Sequence, residues 1–223
     1  HLVDPASVKN VPAEVRSDLG SGLSVKRFDR DGTERIHIED FNQIFRQYPA
    51  DKYKHVSYGN MLSGIWQTMG EREAREFVRR LVFSVAIGNG DMHLKNWSVI
   101  YRDGRTPSLA PAYDYVSTIA YLPNDKLALS IAGSREWSDV SEDHLERFAR
   151  KAAVPRGVVL AAAREMAHRI RDEWPRAKHE LELDARTIRR LDEHMAAIPL
   201  LGGRASQPAA MHAGADAEQP EIA

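Results

Sequence analysis

The sequence contains no cysteine. Disulfides and cysteine-based zinc sites are therefore excluded, and the chain suits a reducing cytoplasm. No apolar run approaches the roughly 18 residues of a membrane span, so no membrane partner is expected. The first residues, HLVDPASVKN, lack the basic-then-apolar order of a secretory signal. The formal net charge is only −1, which leaves no global field to draw the protein to nucleic acid or lipid. Two enzyme signatures are also missing. There is no G-x-S-x-G for a serine hydrolase, and Ser84 falls in an apolar helix as a packing residue. There is no H-E-x-x-H, and the nine histidines are scattered (His93, His144, His168, His179 and His194 among them), against a zinc enzyme.

What is present is a 223-residue chain, 43% hydrophobic, with enough apolar material for a substantial core. Residues 1–22 read as irregular, with Pro5, Pro12, Gly20 and Gly22. LSVKRF and ERIHI are β-prone runs around Asp31-Gly32, a hairpin signal. EDFNQIFRQY, residues 39–48, reads as a short helix presenting Phe41, Ile44 and Phe45. Two helices follow at 60–69 and 71–87, broken at Gly70. The second buries Ala74, Phe77, Val78, Leu81, Val82, Val85 and Ala86 at helical spacing. WSVIY and SLAPAYD form another hairpin turning at Asp103-Gly104. A loop runs to about residue 140, then helices at 141–152, 155–173 and 184–197. The fold expected is mainly α with short β-hairpins, an α+β chain. The segment from Leu201 is rich in Ala, Gly, Pro and Gln and reads as a disordered tail.

The chemistry concentrates in GNGDMHLKNW, Gly88 to Trp97. Glycines after a helix turn the chain sharply. Asp91 and Asn96 then stand five apart, and Asp114 closes the hairpin behind them. Phosphoryl transfer needs such groups: a carboxylate to orient and deprotonate the attacking hydroxyl, and an Asn oxygen with a further carboxylate to hold Mg²⁺ on the nucleotide phosphates. The protein kinase pattern H-R-D-x-x-x-x-N, followed by D-F-G, has the same Asp-to-Asn spacing. Asp91 is the candidate base, Asn96 and Asp114 the metal ligands, Lys95 a cation for phosphate charge, and His93 a supporting residue. The competing reading is a plain polar loop, since Asp, Gly and Asn are common in turns.

GNGDMHLKNWSVI followed by LAPAYDYVST resembles the C-terminal region of HipA-family kinases, the toxins of bacterial toxin–antitoxin modules. The family's loop is G-x-x-D-x-H-x-K-N, with Tyr-Asp at the metal carboxylate. VKRFDRDG resembles its hinge, and IHIEDFNQIF, KLALSIAG and DHLERFA fit in order, across about residues 23–155. The resemblance implies a protein-kinase-like C-lobe with a hinge strand, using ATP and Mg²⁺ for serine/threonine phosphorylation. It implies a protein substrate, aminoacyl-tRNA synthetases being known for family members, and a HipB-like DNA-binding antitoxin as partner. It also carries nucleotide contacts onto Lys26, Arg27 and Phe28, with Tyr113 beside the metal carboxylate. For Phe28 a core-strand role is an equal alternative. Asp29 and Arg30 read as an ion pair, with the ribose as the alternative partner for Asp29.

The phosphate-covering loop and strand lysine of a kinase are not found before Leu23, where Lys9 is the only lysine. Residues 1–30 are therefore read as the hinge and end of an N-lobe, 31–200 as the C-lobe and 201–223 as the tail, with most of the N-lobe absent. Weak nucleotide binding by the chain alone is expected, and His1 in place of Met suggests a processed product or a fragment. Two alternatives stand beside the protein kinase: a small-molecule phosphotransferase of the aminoglycoside type, and a catalytically silent antitoxin-binding module. The arginines between 146 and 190 alternate with acids and read as a solvated helix face, with DNA contact only indirect or minor. Tyr48, Tyr53, Tyr58 and Trp66 read as local packing in preference to a substrate platform.

Overall fold

The computed structural model describes residues 2–3 and 22–202, with side chains from Ser24 onward. The expectations for residues 4–21, including Lys9, and for the tail beyond residue 202 lie outside the described residues. Leu201 belongs to the folded part. It closes a 3₁₀ turn, Pro199–Leu201, and is buried with Leu200, because two leucines in sequence are worth more in the core than in water.

Among the described residues there are three small antiparallel sheets. β1 (Leu2–Val3) pairs with β2 (Gly22–Leu23), and β3 (Arg30–Asp31) pairs with β4 (Glu34–Arg35). The third sheet joins β5 (His37–Asp40) to β6 (Ser98–Tyr101) and β6 to β7 (Ser108–Leu109). The hairpin at residues 31–34 forms as expected, with Gly32 at φ +57° in its turn. The strand assigned to LSVKRF forms only at Leu23, in β2. Ser24 to Asp29 run without ladder pairing, and Val25 stands 66% exposed, so no sheet face is there to receive it. ERIHI also divides: Glu34–Arg35 stay in the hairpin, while His37–Asp40 leave it to pair with β6, Ile38 opposite Ile100.

Helix α1 is a single turn, Phe41–Ile44, shorter than its sequence suggested. Asp40 and Gln43 close a reciprocal capping box at its start. Arg46, at φ +53°, ends it, which leaves Ile44 partly exposed instead of facing inward with Phe41.

Helices α2 (Tyr58–Met69) and α3 (Glu71–Ala86) fall within two residues of expectation, with Gly70 at φ +82° between them. α4 is Glu142–Lys151, α5 Arg156–Glu180 and α6 Ala185–Ala197. α3 lies along α5, where Ala162, Ala163 and Ala167 keep the surface low and allow close approach. α5 runs on past Pro175 to Glu180, beyond the expected end at 173. The proline removes one backbone donor, but contacts on either side hold the helix. Trp174 Nε1 donates to Asp192 of α6 at 2.7 Å, and Lys178 Nζ reaches the same carboxylate at 2.9 Å. The fold is mainly helical with small antiparallel sheets. Among the described residues, no helix is long and apolar enough to cross a membrane.

Candidate active site

The loop from Gly88 to Trp97 is fixed from both sides. Met92, Leu94 and Trp97 are buried, and the Trp97 ring lies 4.6 Å from Phe77 of α3. Tyr58 Oη donates to the Met92 carbonyl at 2.9 Å, so this tyrosine is core, as local packing requires. The segment after Asp114 closes the other side. Gly90 N donates to Thr118 Oγ1 at 2.8 Å, and the Thr118 hydroxyl also meets Asp125. The two glycines make room for this approach: a Cβ on Gly90 would stand 2.0 Å from Asp125 Oδ2, and one on Gly88 2.3 Å from Ile119 Cγ1.

Within this frame, the side chain of Asp91 is 44% exposed. Its carbonyl accepts from His93 N at 2.7 Å and from Asn96 Nδ2 at 2.8 Å. That second bond orients the Asn96 amide, turning its oxygen away from the loop backbone. Tyr113 joins the hairpin to the loop: its hydroxyl donates to the Lys95 carbonyl at 2.8 Å and contacts Ser98 Oγ at 2.6 Å. Asp114 follows, exposed and at φ +57°, a conformation rare for a residue with a Cβ and common at functional sites. His93 is buried. Its Nε2 lies 3.7 Å from Asp91 Oδ1, and it feels the charge of Asp91 and of Asp114. Burial is the larger influence and lowers its pKa, favouring the neutral ring.

The Asn96 amide oxygen and the Asp114 carboxylate are of the donor type that a hard divalent cation takes. Among the described residues, no three His, Cys, Asp or Glu side chains form a cage. Mg²⁺ needs none, since it is usually held by one or two carboxylates and completed by phosphate oxygens and water. The residues present fit such an ion.

The five residues assigned to nucleotide contact, Lys26, Arg27, Phe28, Asp29 and Tyr113, line a single cavity of about 320 Å³, with Lys95 on its wall. The Phe28 and Tyr113 rings stand 5.7 Å apart. Asp29 is tied down: Arg27 holds it through two bonds of 2.8 and 2.6 Å, and Arg30 through one of 2.6 Å. These partners, Arg27 first, hold its carboxyl well below the usual carboxylate range. The ion pair with Arg30 is present, and its oxygens are committed to guanidinium groups instead of a free ribose contact. A second cavity, about 440 Å³ and largely apolar, lies between α3, α5 and α6 and contains none of the assigned residues.

Sequence reasoning named Tyr53 but did not foresee its bond to Asp91. Its hydroxyl donates to Asp91 Oδ1, and its ring meets the His93 ring edge-on at 5.0 Å. Burial, then the bond to Asp91, raises the pKa of the phenol. Lys52 lies over the Tyr53 ring with Nζ 5.0 Å from its centre, and its carbonyl accepts from Leu94 N. The packing expected of the tyrosine-rich stretch holds for Tyr58 and Trp66, and the Tyr53 ring packs on His93 and Lys52, but Tyr48 is 79% exposed.

The model of the HipA-like C-terminal domain matches residues 3–174. The chain belongs to this family. The HipA-like chain is 40% identical over 200 residues to a Sinorhizobium fredii protein named "Putative kinase Y4dM", covering 89% of this chain and 49% of that protein. It is 33% identical to a second protein of the same organism, "Putative kinase Y4mE", over 64% of this chain and 37% of that one. The chain spans about half the length, or less, of the curated relatives it matches. Among solved structures it resembles HipA of Shewanella oneidensis MR-1, determined as a toxin–antitoxin complex with HipB and operator DNA. The TM-score is 0.65 at 23% identity, covering 82% of this chain and 47% of that one. This likeness supports the fold.

Proposed function

We propose that the chain is the C-terminal, catalytic portion of a HipA-like serine/threonine protein kinase, which transfers the γ-phosphate of ATP to a protein hydroxyl. The observation that carries this reading is the bond from Asn96 Nδ2 to the Asp91 carbonyl, with Tyr113, the neighbour of Asp114 in sequence, bonded to the Lys95 carbonyl of the same loop. One hydrogen bond thereby sets the base and the metal amide in a fixed relation, as in-line transfer needs.

In this mechanism the nucleotide occupies the cavity between Phe28, Tyr113 and Lys95. Asn96 and Asp114 would hold Mg²⁺, which when bound offsets charge on the β- and γ-phosphates. Asp91 orients the acceptor hydroxyl and takes its proton as the bond to phosphorus forms. Lys95 lies at the exposed edge of the cavity, where a cation stabilises charge spreading over the transferred group. Neutral His93 lies beside Asp91 and supports the loop that carries it. The acceptor belongs to a protein, with an aminoacyl-tRNA synthetase as the first candidate. A HipB-like DNA-binding antitoxin is the proposed regulator, any DNA contact of the kinase being indirect or minor.

The test uses the longest natural product containing residues 1–223, with radiolabelled ATP, lysate proteins and small alcohols as competing acceptors. Label should enter protein, and Asp91→Asn should lower the rate at least about 100-fold without altering the melting temperature. Label in small alcohols would support the small-molecule phosphotransferase instead. Transfer indifferent to Asp91→Asn would remove Asp91 as the base.

A further inference from the structure

Asp91 has two carboxylate oxygens, and they stand in different surroundings. Oδ1 accepts the Tyr53 hydroxyl and faces His93 Nε2 at 3.7 Å. A base is most effective when a further group fixes its direction. Tyr53 is well placed for that task, because its own position is set at several points. Its ring is braced edge-on against buried His93, and Lys52 covers its face. The backbone beside it is pinned where Leu94 N donates to the Lys52 carbonyl at 3.3 Å. Lys54 is tied by its ammonium to Asp51 at 3.2 Å, which steadies the loop on the other side of Tyr53. The loop before α2 and the loop carrying Asp91 are thus joined through one phenol.

We infer that Tyr53 is a positioning residue for phosphoryl transfer: its hydroxyl locks Asp91 Oδ1, so that Oδ2 is presented to the acceptor hydroxyl. This role rests on the kinase reading above. It assigns each carboxylate oxygen one task, orientation for Oδ1 and proton acceptance for Oδ2. The acceptor therefore approaches Asp91 from the side away from Tyr53, and Tyr53 stays in place during turnover.

Tyr53→Phe tests it with little disturbance, since the ring, its edge contact with His93 and its contact with Lys52 all persist and only the hydroxyl is lost. In the longest natural product, kcat should fall on the order of tenfold, as for one charge-assisted hydrogen bond. KM for Mg-ATP and for the protein acceptor should be unchanged. In an Asp91→Asn background the same substitution should have no further effect on rate, because the two groups act as a unit. A second readout does not need activity. With ¹³C-labelled tyrosine in the 223-residue chain, Asp91→Asn should shift the Tyr53 ring signals at neutral pH. Absence of that shift would overturn the contact and the proposal together. A fall in acceptor KM on Tyr53→Phe would overturn it in favour of a gate that the acceptor must displace. Unchanged kcat with normal transfer would remove this role alone. Absence of all transfer by a protein that shows the shift would remove the kinase reading, and the role with it.

Discussion

At Gly88 the backbone takes φ +62°, and a Cβ would collide with Ile119. Both conditions call for glycine, one through conformation and one through space. Gly88→Ala should therefore destabilise the fold by about 2 kcal/mol or more, from overpacking and left-handed strain. Denaturant unfolding will check this, and an unchanged midpoint would mean that the loop and the segment at Ile119 are not tightly joined. The sequence showed that a turn belongs at Gly88-Asn89-Gly90, since glycine after a helix is a local signal. It did not show what the turn packs against. Thr118 and Asp125 lie about thirty residues on, in a stretch without periodicity, and no local pattern points from them to Gly90. The same reason hid the bond from Tyr53 to Asp91, which spans 38 positions. The spacing of Asp91, Asn96 and Asp114 was visible because kinase chemistry prescribes it, whereas an orienting hydroxyl can come from any loop that reaches the base.

Helices α2 and α3 were legible because each turns a regular apolar stripe toward the core. α5 was legible only to Pro175. A proline ends most helices, and its tolerance here depends on Asp192, which sits on another helix. Strand pairing was harder to read, because runs of two to four residues carry too little alternation to choose a partner. How the helices meet leads to a dependence on pH. His194 of α6 places Nε2 2.7 Å from the Val85 carbonyl at the end of α3, and its ring meets Trp137 edge-on. Burial lowers its pKa, so the folded protein resists taking up a proton there. Its contribution is complete above the unfolded value of about 6.5 and is lost as pH falls from there through the folded value. Thermal stability should therefore decline on acidification below about pH 6.5, and His194→Gln should flatten that decline. Equal slopes in the two proteins would place the proton uptake elsewhere.

For the molecule as a whole, the candidate site sits on the loop between α3 and β6. Lys95 lines the cavity with Phe28 and Tyr113, and its carbonyl, on the loop that carries Asp91, accepts from the Tyr113 hydroxyl. The family model covers residues 3–174, so α6 lies beyond the matched segment and still closes on α3 and α5. The chain spans about half of Y4dM, and the phosphate-covering loop expected of a kinase was not found in its sequence. The account must therefore be tested by a method that tolerates weak nucleotide binding. Amide NMR spectra of the 223-residue chain with ATP and substoichiometric Mn²⁺ meet that need, because manganese takes similar oxygen ligands and broadens nearby signals. Cation binding by this pair predicts broadening centred on Asn96 and Asp114, extending to Asp91 and His93, and lost when Asn96→Ala and Asp114→Asn are combined. Broadening centred elsewhere, or unchanged in the double variant, would contradict it.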